Sequence, residues 1–274
     1  MNKVVLITGA SSGIGQKLKE YYTKQNDIVL NISRNVENDD YNFSCDISNI
    51  ENLEKVFNQI TDKYNHIDIL INCAGYGISG ASELISDEEV KRIFDVNFFG
   101  TYKLIKLCLP LMNESSKIIN ISSACALFPL PFRTLYCASK SAVTMFSECL
   151  RMELLPTKIQ VTNICPGDIK TNFTKNRVKV FATNERYGNR IENATKKVDS
   201  REHRRMSIDY ACNKIFKICE KKKLKSRYII GAKYKTFYIL QKMFPKSWFD
   251  KVVYKMFGGN KWQKKKDTIY MIEH

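Results

Sequence analysis

Long hydrophobic runs are missing from this chain of 274 residues. No stretch reaches the roughly 18 apolar residues that a membrane-spanning helix needs, and no apolar secretory signal precedes the first strand-like run. A C-x-x-C pair is also absent, and the nine cysteines and three histidines form no cluster with metal-ligand spacing. We therefore expect a cytoplasmic protein with reduced cysteines and no metal site.

Acidic side chains are scarce in the last hundred residues. Residues 1–171 hold 17 basic and 19 acidic side chains, whereas residues 172–274 hold 27 and 9, which accounts for the net charge of +16. An electrostatic partner should therefore bind the C-terminal part. No recognised nucleic-acid-binding motif accompanies this charge, so we expect no nucleic acid partner.

Apolar runs alternate with helical patterns along most of the chain. The strand-like runs begin at Lys3, Asp27, Tyr41, His66, Ser116, Lys158 and Ser226, and the helical patterns cover residues 14–25, 50–64, 87–112, 135–155 and 208–221. Most strand-like runs are almost continuously apolar, as is typical of strands that are covered on both faces. The pattern predicts an α/β fold, a Rossmann-type doubly wound parallel sheet in a single domain.

Two segments do not follow this alternation. Residues 168–207 are polar and basic, which indicates a lid or loop over a substrate. Residues 234–257 interleave aromatic and aliphatic side chains with lysines around Pro245. We expect a catalytic domain over residues 1–231 and a basic, aromatic-rich, partly helical extension over residues 232–274.

A glycine-rich turn joins the first strand to the first helical pattern in the sequence TGASSGIG, with glycines at 9, 13 and 15. In this position, backbone N–H groups at a helix N-terminus can bind a pyrophosphate. The second strand then ends in Ser33 and Arg34, where a carboxylate would select NAD(H). A hydroxyl and a guanidinium suit a 2′-phosphate, so the sequence favours NADP(H) over NAD(H).

Two further stretches border the same predicted crevice. Asp46 and Ile47 close the third strand, where we expect them to flank the adenine of the dinucleotide. The NCAG sequence, residues 72–75, closes the fourth strand. The cofactor residues predicted from the four stretches are Gly9, Ser11, Ser12, Gly13, Ile14, Gly15, Ser33, Arg34, Asp46, Ile47, Asn72, Ala74 and Gly75.

The sequence YCASK places Tyr136 and Lys140 four positions apart in a helical pattern. Residues with this spacing lie one turn apart on the same helix face. We expect the ammonium of Lys140 to lower the pKa of the Tyr136 phenol and to bring it toward proton exchange near neutral pH.

Six motifs occur in one order between Lys3 and Thr171, namely TGASSGIG, NCAG, DVNFFG, NISS, YCASK and PGDIKT. Together they resemble the short-chain dehydrogenase/reductase family. Two positions depart from its usual pattern, since Cys73 stands where a second Asn is frequent and Ser12 stands where NADP-preferring members often have a basic residue. The choice of cofactor therefore depends largely on Arg34.

The resemblance also implies a role for each motif residue. Tyr136 would be the acid or base, and the Ser123 hydroxyl would hold the substrate carbonyl oxygen. Asn97 would order a water in a proton relay to Lys140, which would also bind the nicotinamide ribose, as would Tyr136. The residues that would anchor the nicotinamide carboxamide are Pro166, Gly167, Ile169 and Thr171.

An apolar stretch between Ser123 and Tyr136 predicts the wall of a substrate pocket. The predicted substrate residues are Leu127, Phe128, Phe132 and Phe173. Such a wall favours a hydrophobic ketone or secondary alcohol of steroid-like, retinoid-like or long-chain type.

Three functions follow from these observations. We expect an NADP(H)-dependent carbonyl reductase or hydroxysteroid-type dehydrogenase. A 3-oxoacyl-(acyl-carrier-protein) reductase is an alternative, because an acidic carrier would bind a basic surface, and a non-catalytic dinucleotide sensor or scaffold is another. The family resemblance implies a homodimer or homotetramer paired through the helices that begin near Asp87 and Leu135. The basic extension could bind an anionic membrane surface, cover the pocket or form a subunit interface.

Overall fold

A computed structural model describes residues 2–200, 203, 205–258 and 272–273. Its strands are β1 (Val4–Thr8), β2 (Ile28–Ser33), β3 (Asn42–Ser44), β4 (Ile69–Asn72), β5 (Ile78–Ser79), β6 (Lys117–Ile121), β7 (Gln160–Pro166), β8 (Val178–Val180), β9 (Arg227–Ile230) and β10 (Ile272–Glu273). Its α-helices are α1 (Gly13–Thr23), α2 (Ile50–Thr61), α3 (Asp87–Phe94), α4 (Gly100–Cys108), α5 (Thr134–Glu153), α6 (Arg190–Asp199), α7 (Ile208–Cys219), α8 (Ala232–Met243) and α9 (Lys246–Phe257).

Seven of the strands form one parallel sheet in the order β3-β2-β1-β4-β6-β7-β9. The strand order reverses next to β1, because the chain runs outward to β3 and then returns to place β4 on the other side of β1. Parallel sheets of this kind bind ligands outside the carboxyl ends of the strands at the reversal point. The predicted fold class is confirmed.

The sheet is covered on both faces because successive side chains of a strand point to opposite sides. In β1, Val4 and Leu6 join a cluster with side chains of α2 and α4. Val5 and Ile7 join a second cluster with side chains of α1 and α7. All five residues of β1 are buried, which explains its continuously apolar sequence.

The helical pattern over residues 87–112 is not one regular helix. A π-helical turn, Asp95–Phe99, separates α3 from α4, and a 3₁₀ turn follows at Leu109–Leu111. π-helical turns are rare and occur often at functional sites, and this one contains Asn97. Hydrophobic periodicity does not distinguish such a turn from the regular helix on either side.

The segment 168–207 contains more regular structure than a loop. It holds β8 and α6, and β8 pairs with β5 in parallel and with β10 in antiparallel orientation. The sequence did not predict this three-stranded sheet, since strands of two or three residues are too short to show a period.

Residues 232–258 of the C-terminal extension form a helical hairpin of α8 and α9, whereas Ile272 and Glu273 form β10. Phe249 and Val253 of α9 are buried in a cluster with Phe128 and Cys165 of the catalytic domain. The hairpin therefore packs against the end of the molecule that carries Ser123 and Tyr136. Among the described residues, no helix combines the length and the apolar character that a membrane span requires.

Candidate active site

A cavity of about 370 Å³ runs along the carboxyl edge of the parallel sheet. This volume lies in the range of small-molecule sites. Most of the predicted site residues line it, namely Gly9, Ser11, Ser12, Gly13, Ile14, Ser33, Arg34, Asp46, Ile47, Ala74, Gly75, Ser123, Phe128, Tyr136, Lys140, Pro166, Gly167, Ile169, Thr171 and Phe173. One cavity thus connects the glycine-rich turn with the Tyr136 end.

The glycine-rich turn has the geometry that a diphosphate needs. Gly9 and Gly13 have φ angles of +71° and +58°, a region that other residues rarely adopt. Gly13 has open space where a Cβ would lie, and α1 begins at this residue. The positive end of the α1 dipole therefore lies at the cavity, so the turn fits the diphosphate of a dinucleotide.

Two predicted cofactor residues do not line the cavity. A Cβ on Gly15 would lie 2.5 Å from the carbonyl oxygen of Gly9, so Gly15 allows close packing of α1 against the turn. Asn72 is buried at the end of β4, and its Nδ2 donates to Asn120 Oδ1 at 2.8 Å. Both residues thus join elements of the fold, and their contact with a cofactor stays a prediction.

Polar contacts hold the end of β2 against the glycine-rich turn. The Ser33 hydroxyl accepts from the Ser11 N–H at 3.3 Å and donates to Asn31 Oδ1 at 2.6 Å. Asn31 Oδ1 also accepts from the Ala10 N–H at 3.1 Å. Arg34 directly follows Ser33 and is exposed where it lines the cavity. No carboxylate occurs at this end of β2. This end of the cavity can therefore accommodate a 2′-phosphate.

Tyr136 and Ser123 lie together at the other end. Ser123 caps the short 3₁₀ turn after β6, where its Oγ accepts from the Cys125 N–H at 3.1 Å. Burial raises the pKa of Tyr136 above its usual range, and a hydrogen bond with Ser123 opposes this shift only in part. The phenol is therefore protonated at neutral pH and can donate to a substrate oxygen.

Lys140 lies one turn after Tyr136 and lines the same cavity, as predicted. Its ammonium is buried and donates to the Ile121 carbonyl at 3.0 Å. Burial lowers the pKa of Lys140 to about 8. The expectation that Lys140 lowers the pKa of Tyr136 is wrong in this structure, because desolvation dominates both groups and the ammonium is directed toward a backbone carbonyl.

Asn97 lies behind the cavity wall and does not line it. Its side chain accepts from the Tyr76 N–H and donates to the Tyr76 carbonyl, each at 3.0 Å, and it also donates to Ser139 Oγ. A Cβ on Gly75 would lie 2.9 Å from Asn97 Oδ1 and 3.2 Å from Lys140 Nζ. The absence of a side chain at Gly75 thus lets the polar ends of Asn97 and Lys140 converge.

The predicted substrate wall is only partly correct. Phe128 and Phe173 line the cavity, and the ring centroids of Phe173 and Tyr136 are 5.8 Å apart. Leu127 instead packs in the cluster that includes α9, and Phe132 packs against α6. The segment turns through a 3₁₀ helix, and Phe132 has a φ of +61°, so its side chains point in different directions.

Several residues of the cavity wall were not predicted, namely Cys125, Arg133, Arg177, Tyr234 and Phe257. Tyr234 stacks on Phe128 with an interplanar angle of 6°, and its phenol forms a hydrogen bond with Asp168. Its ring also occupies the space where a Cβ of Gly167 would lie. The hairpin therefore completes the cavity, which was one of the roles left open for the extension.

Two cysteines lie next to Ser123 and Tyr136 in the sequence. Cys125 is two positions after Ser123, and Cys137 directly follows Tyr136. Both are free and half-buried. A hydrogen bond from the Cys137 thiol, together with the positive charge of Arg133 and a hydrogen bond from Ser123, lowers the pKa of Cys125 to about 7. Cys125 is thus the thiol at the cavity with the greatest thiolate character.

We predict that iodoacetamide alkylates Cys125 faster than the other cysteines at pH 7, measured by peptide mass spectrometry over time. The rate should rise with pH through a midpoint near 7, since the thiolate is the nucleophile. Cys137→Ala should move this midpoint upward, because the main hydrogen bond is lost. Cys149→Ala, on the same helix, is the matched control and should leave it unchanged. A midpoint insensitive to Cys137→Ala would contradict the assignment.

Comparisons with known proteins agree with this geometry. The family model described as short chain dehydrogenase matches residues 3–180. VdlC of Helicobacter pylori, a probable short-chain type dehydrogenase/reductase, is 35% identical over 260 residues, covering 90% of this chain and 95% of that protein. A 3-ketodihydrosphingosine reductase of Bacteroides thetaiotaomicron is 36% identical, covering 73% of this chain and 77% of that protein.

Among solved structures, a short-chain dehydrogenase from Streptomyces avermitilis superposes with a TM-score of 0.79 at 25% identity, covering 93% of this chain and 96% of the other. The fold that these proteins share binds a nicotinamide dinucleotide. The chain therefore belongs to the short-chain dehydrogenase/reductase family and is an oxidoreductase that acts on CH–OH and C=O groups.

Proposed function

We propose that this protein is an NADP(H)-dependent reductase that interconverts a hydrophobic, lipid-like or steroid-like ketone and its secondary alcohol. The observation that carries the proposal is one cavity with Arg34 at one end and Tyr136, Ser123 and an aromatic wall at the other. The 3-ketodihydrosphingosine reductase among its relatives supports a lipid-like substrate of long-chain type.

The cofactor preference rests on the end of β2. Arg34 is exposed there, where its guanidinium can bind both oxygens of a 2′-phosphate. The side chains on either side, Ser33 and Asn35, are uncharged and line the cavity with it. A carboxylate that would repel a phosphate is therefore missing from this position, which favours NADP(H) over NAD(H).

The protonation states of the site are those that the reduction of a ketone requires. NADPH, when bound, supplies the hydride for the carbonyl carbon. The Ser123 hydroxyl holds the carbonyl oxygen, and Tyr136, which burial keeps protonated, donates its proton to that oxygen. Lys140, with a pKa of about 8, can return a proton near neutral pH, and Asn97 lies beside it to order the path.

Paired subunits are also part of the proposal. The outer faces of α4 and α5 expose Tyr102 and Met145, and Phe99 is exposed in the adjoining π-helical turn. Phe146 lies between Phe98 and Tyr102, with ring centroids 6.0 and 5.8 Å away. Such an aromatic surface suits a homodimer or homotetramer, and we propose that these assemblies work in the cytoplasm.

Tyr136→Phe should lower kcat at least a hundredfold while the Kd for NADPH changes less than threefold. The phenol proton is lost, but the ring remains in place, and general acids typically contribute 10²- to 10⁴-fold. Turnover is measured at 340 nm and NADPH binding by fluorescence. Tyr64→Phe, outside the cavity, is the matched control and should have no effect. Normal turnover by Tyr136→Phe would end the catalytic assignment.

Arg34→Asp should raise the KM for NADPH tenfold or more while the KM for NADH changes little. The variant replaces a guanidinium–phosphate contact, worth about 1.5 to 3 kcal/mol, with repulsion. Initial rates with both cofactors measure the change in preference. Lys24→Asp carries the same change of charge outside the cavity and should leave the ratio unaltered. An unchanged ratio in Arg34→Asp would disprove the preference for NADP(H).

A ketone series of increasing chain length should show kcat/KM rising with apolar length. Phe173→Ala should lower kcat/KM roughly tenfold for the longest ketone, because this ring beside Tyr136 forms part of the apolar cavity wall. Tyr41→Ala, an exposed aromatic residue outside the cavity, serves as control. A preference for a 3-oxoacyl thioester of an acyl carrier protein over every free ketone would instead identify the alternative reductase.

A further inference from the structure

The tip of the α8–α9 hairpin exposes a run of seven consecutive residues, Lys242 to Trp248. Met243 is 71% exposed, and Phe244 and Trp248 are 41% and 47% exposed. The ring centroids of Phe244 and Trp248 are only 4.6 Å apart, so the two aromatic residues form one apolar surface. We call residues 242–251 the hairpin tip.

The buried side of the hairpin does not account for this surface. Phe249 and Val253 already supply the side chains by which α9 packs on the catalytic domain. Phe237 of α8 adds a ring contact to Phe249 at 5.9 Å. The exposed aromatic pair at the tip is a second apolar set, and no residue that the structure describes covers it. Clustered exposed apolar side chains of this kind mark a surface that binds something.

The charge of the whole hairpin is almost entirely positive. Residues 232–257 contain six lysines and a single acidic residue, Asp250. All six lysines are exposed, namely Lys233, Lys235, Lys242, Lys246, Lys251 and Lys255. A surface that combines aromatic side chains with lysines complements anionic lipid headgroups above an apolar layer. A second copy of this chain would bring the same lysines together and suffer repulsion.

We propose that the hairpin tip binds the surface of an anionic lipid bilayer, with Met243, Phe244 and Trp248 at the headgroup boundary and the lysines on the headgroups. Tryptophan is well suited to this depth because its ring is apolar and its N–H is polar. The hairpin would lie on the membrane without spanning it, and its base would remain packed on the catalytic domain.

The tip is connected to the cavity through the base of the hairpin. Tyr234, in the first turn of α8, and Phe257, at the end of α9, both line the cavity. Met243 lies nine positions after Tyr234 along α8, a rise of about 14 Å. A bilayer at the tip would therefore lie one short helix away from the cavity. This part of the inference rests on the proposed hydrophobic substrate, whereas membrane binding itself does not.

Flotation of the purified full-length protein with vesicles tests the proposal directly. We expect the protein to float with vesicles of phosphatidylcholine and phosphatidylglycerol in a 7:3 ratio and much less with phosphatidylcholine alone. Phe244→Ser combined with Trp248→Ser should lower the partition coefficient at least tenfold. Lys242→Gln combined with Lys246→Gln should lower it about fivefold per lysine. Tyr41→Ser with Tyr210→Ser, at similar exposed positions (50% and 49%), should change nothing.

Fluorescence gives a second, independent readout. In a Trp262→Phe background, all tryptophan emission comes from Trp248. Emission should shift to the blue on addition of the anionic vesicles and be quenched by brominated lipid. Equal flotation of the wild-type protein and the tip variant, or emission unaffected by vesicles, would overturn the proposal. Sedimentation without lipid measures the oligomeric state of both proteins. If the wild-type protein were an oligomer and the tip variant a monomer, the tip would bind a second copy and the proposal would be overturned.

Turnover of a short, water-soluble ketone separates this proposal from the proposed function. The tip variants should retain wild-type kcat on that substrate, because the tip lies outside the cavity. They should lose rate only on a long-chain ketone presented in anionic vesicles. If turnover failed in the wild-type protein while flotation succeeded, the proposed function would be at fault and membrane binding would stand.

Discussion

Desolvation of two ionisable groups on one turn of α5 determines how this active site can work. Tyr136 and Lys140 are both buried, and burial disfavours the charged form of each. The phenol is therefore protonated at neutral pH, while the ammonium, with a pKa of about 8, can exchange its proton. In the proposed function, Tyr136 is therefore the proton donor and Lys140 is the group that replaces its proton.

The surroundings of this pair depend on close backbone packing. The polar ends of Asn97 and Lys140 converge at Gly75 because this residue carries no side chain, and Asn97 lies in the π-helical turn. Tyr234 reaches the cavity in the same way, over Gly167. In both places a glycine lets a polar or aromatic side chain from a distant element approach the sheet edge. The C-terminal hairpin thereby becomes part of the cavity wall, and its lysine-rich outer surface is held in a defined orientation to the substrate end.

Part of this arrangement was predictable because local patterns carry it. Periodicity predicts the seven strands of the parallel sheet and the helices between them. Short motifs of adjacent residues predict the glycine-rich turn and the Tyr136–Lys140 pair. The positions of single side chains followed less directly from the sequence. Phe128 and Phe173 line the cavity as predicted, yet Leu127 and Phe132 lie elsewhere, since a 3₁₀ turn and one positive φ redirect them. Gly15 and Asn72 belong to the predicted cofactor motifs, but they join elements of the fold and do not line the cavity.

The sequence by itself determined the fold class, the family and the end of the sheet at which the chemistry lies, because these depend on residue type and spacing along the chain. Only the tertiary structure decided the direction of the pKa shift of Tyr136, the proximity of Cys125 to Cys137 and the entry of Tyr234 and Phe257 into the cavity. These features depend on burial and on contacts between segments far apart in the chain. The desolvation of a side chain depends on the residues packed around it, so it cannot be predicted from the spacing of residues along the chain.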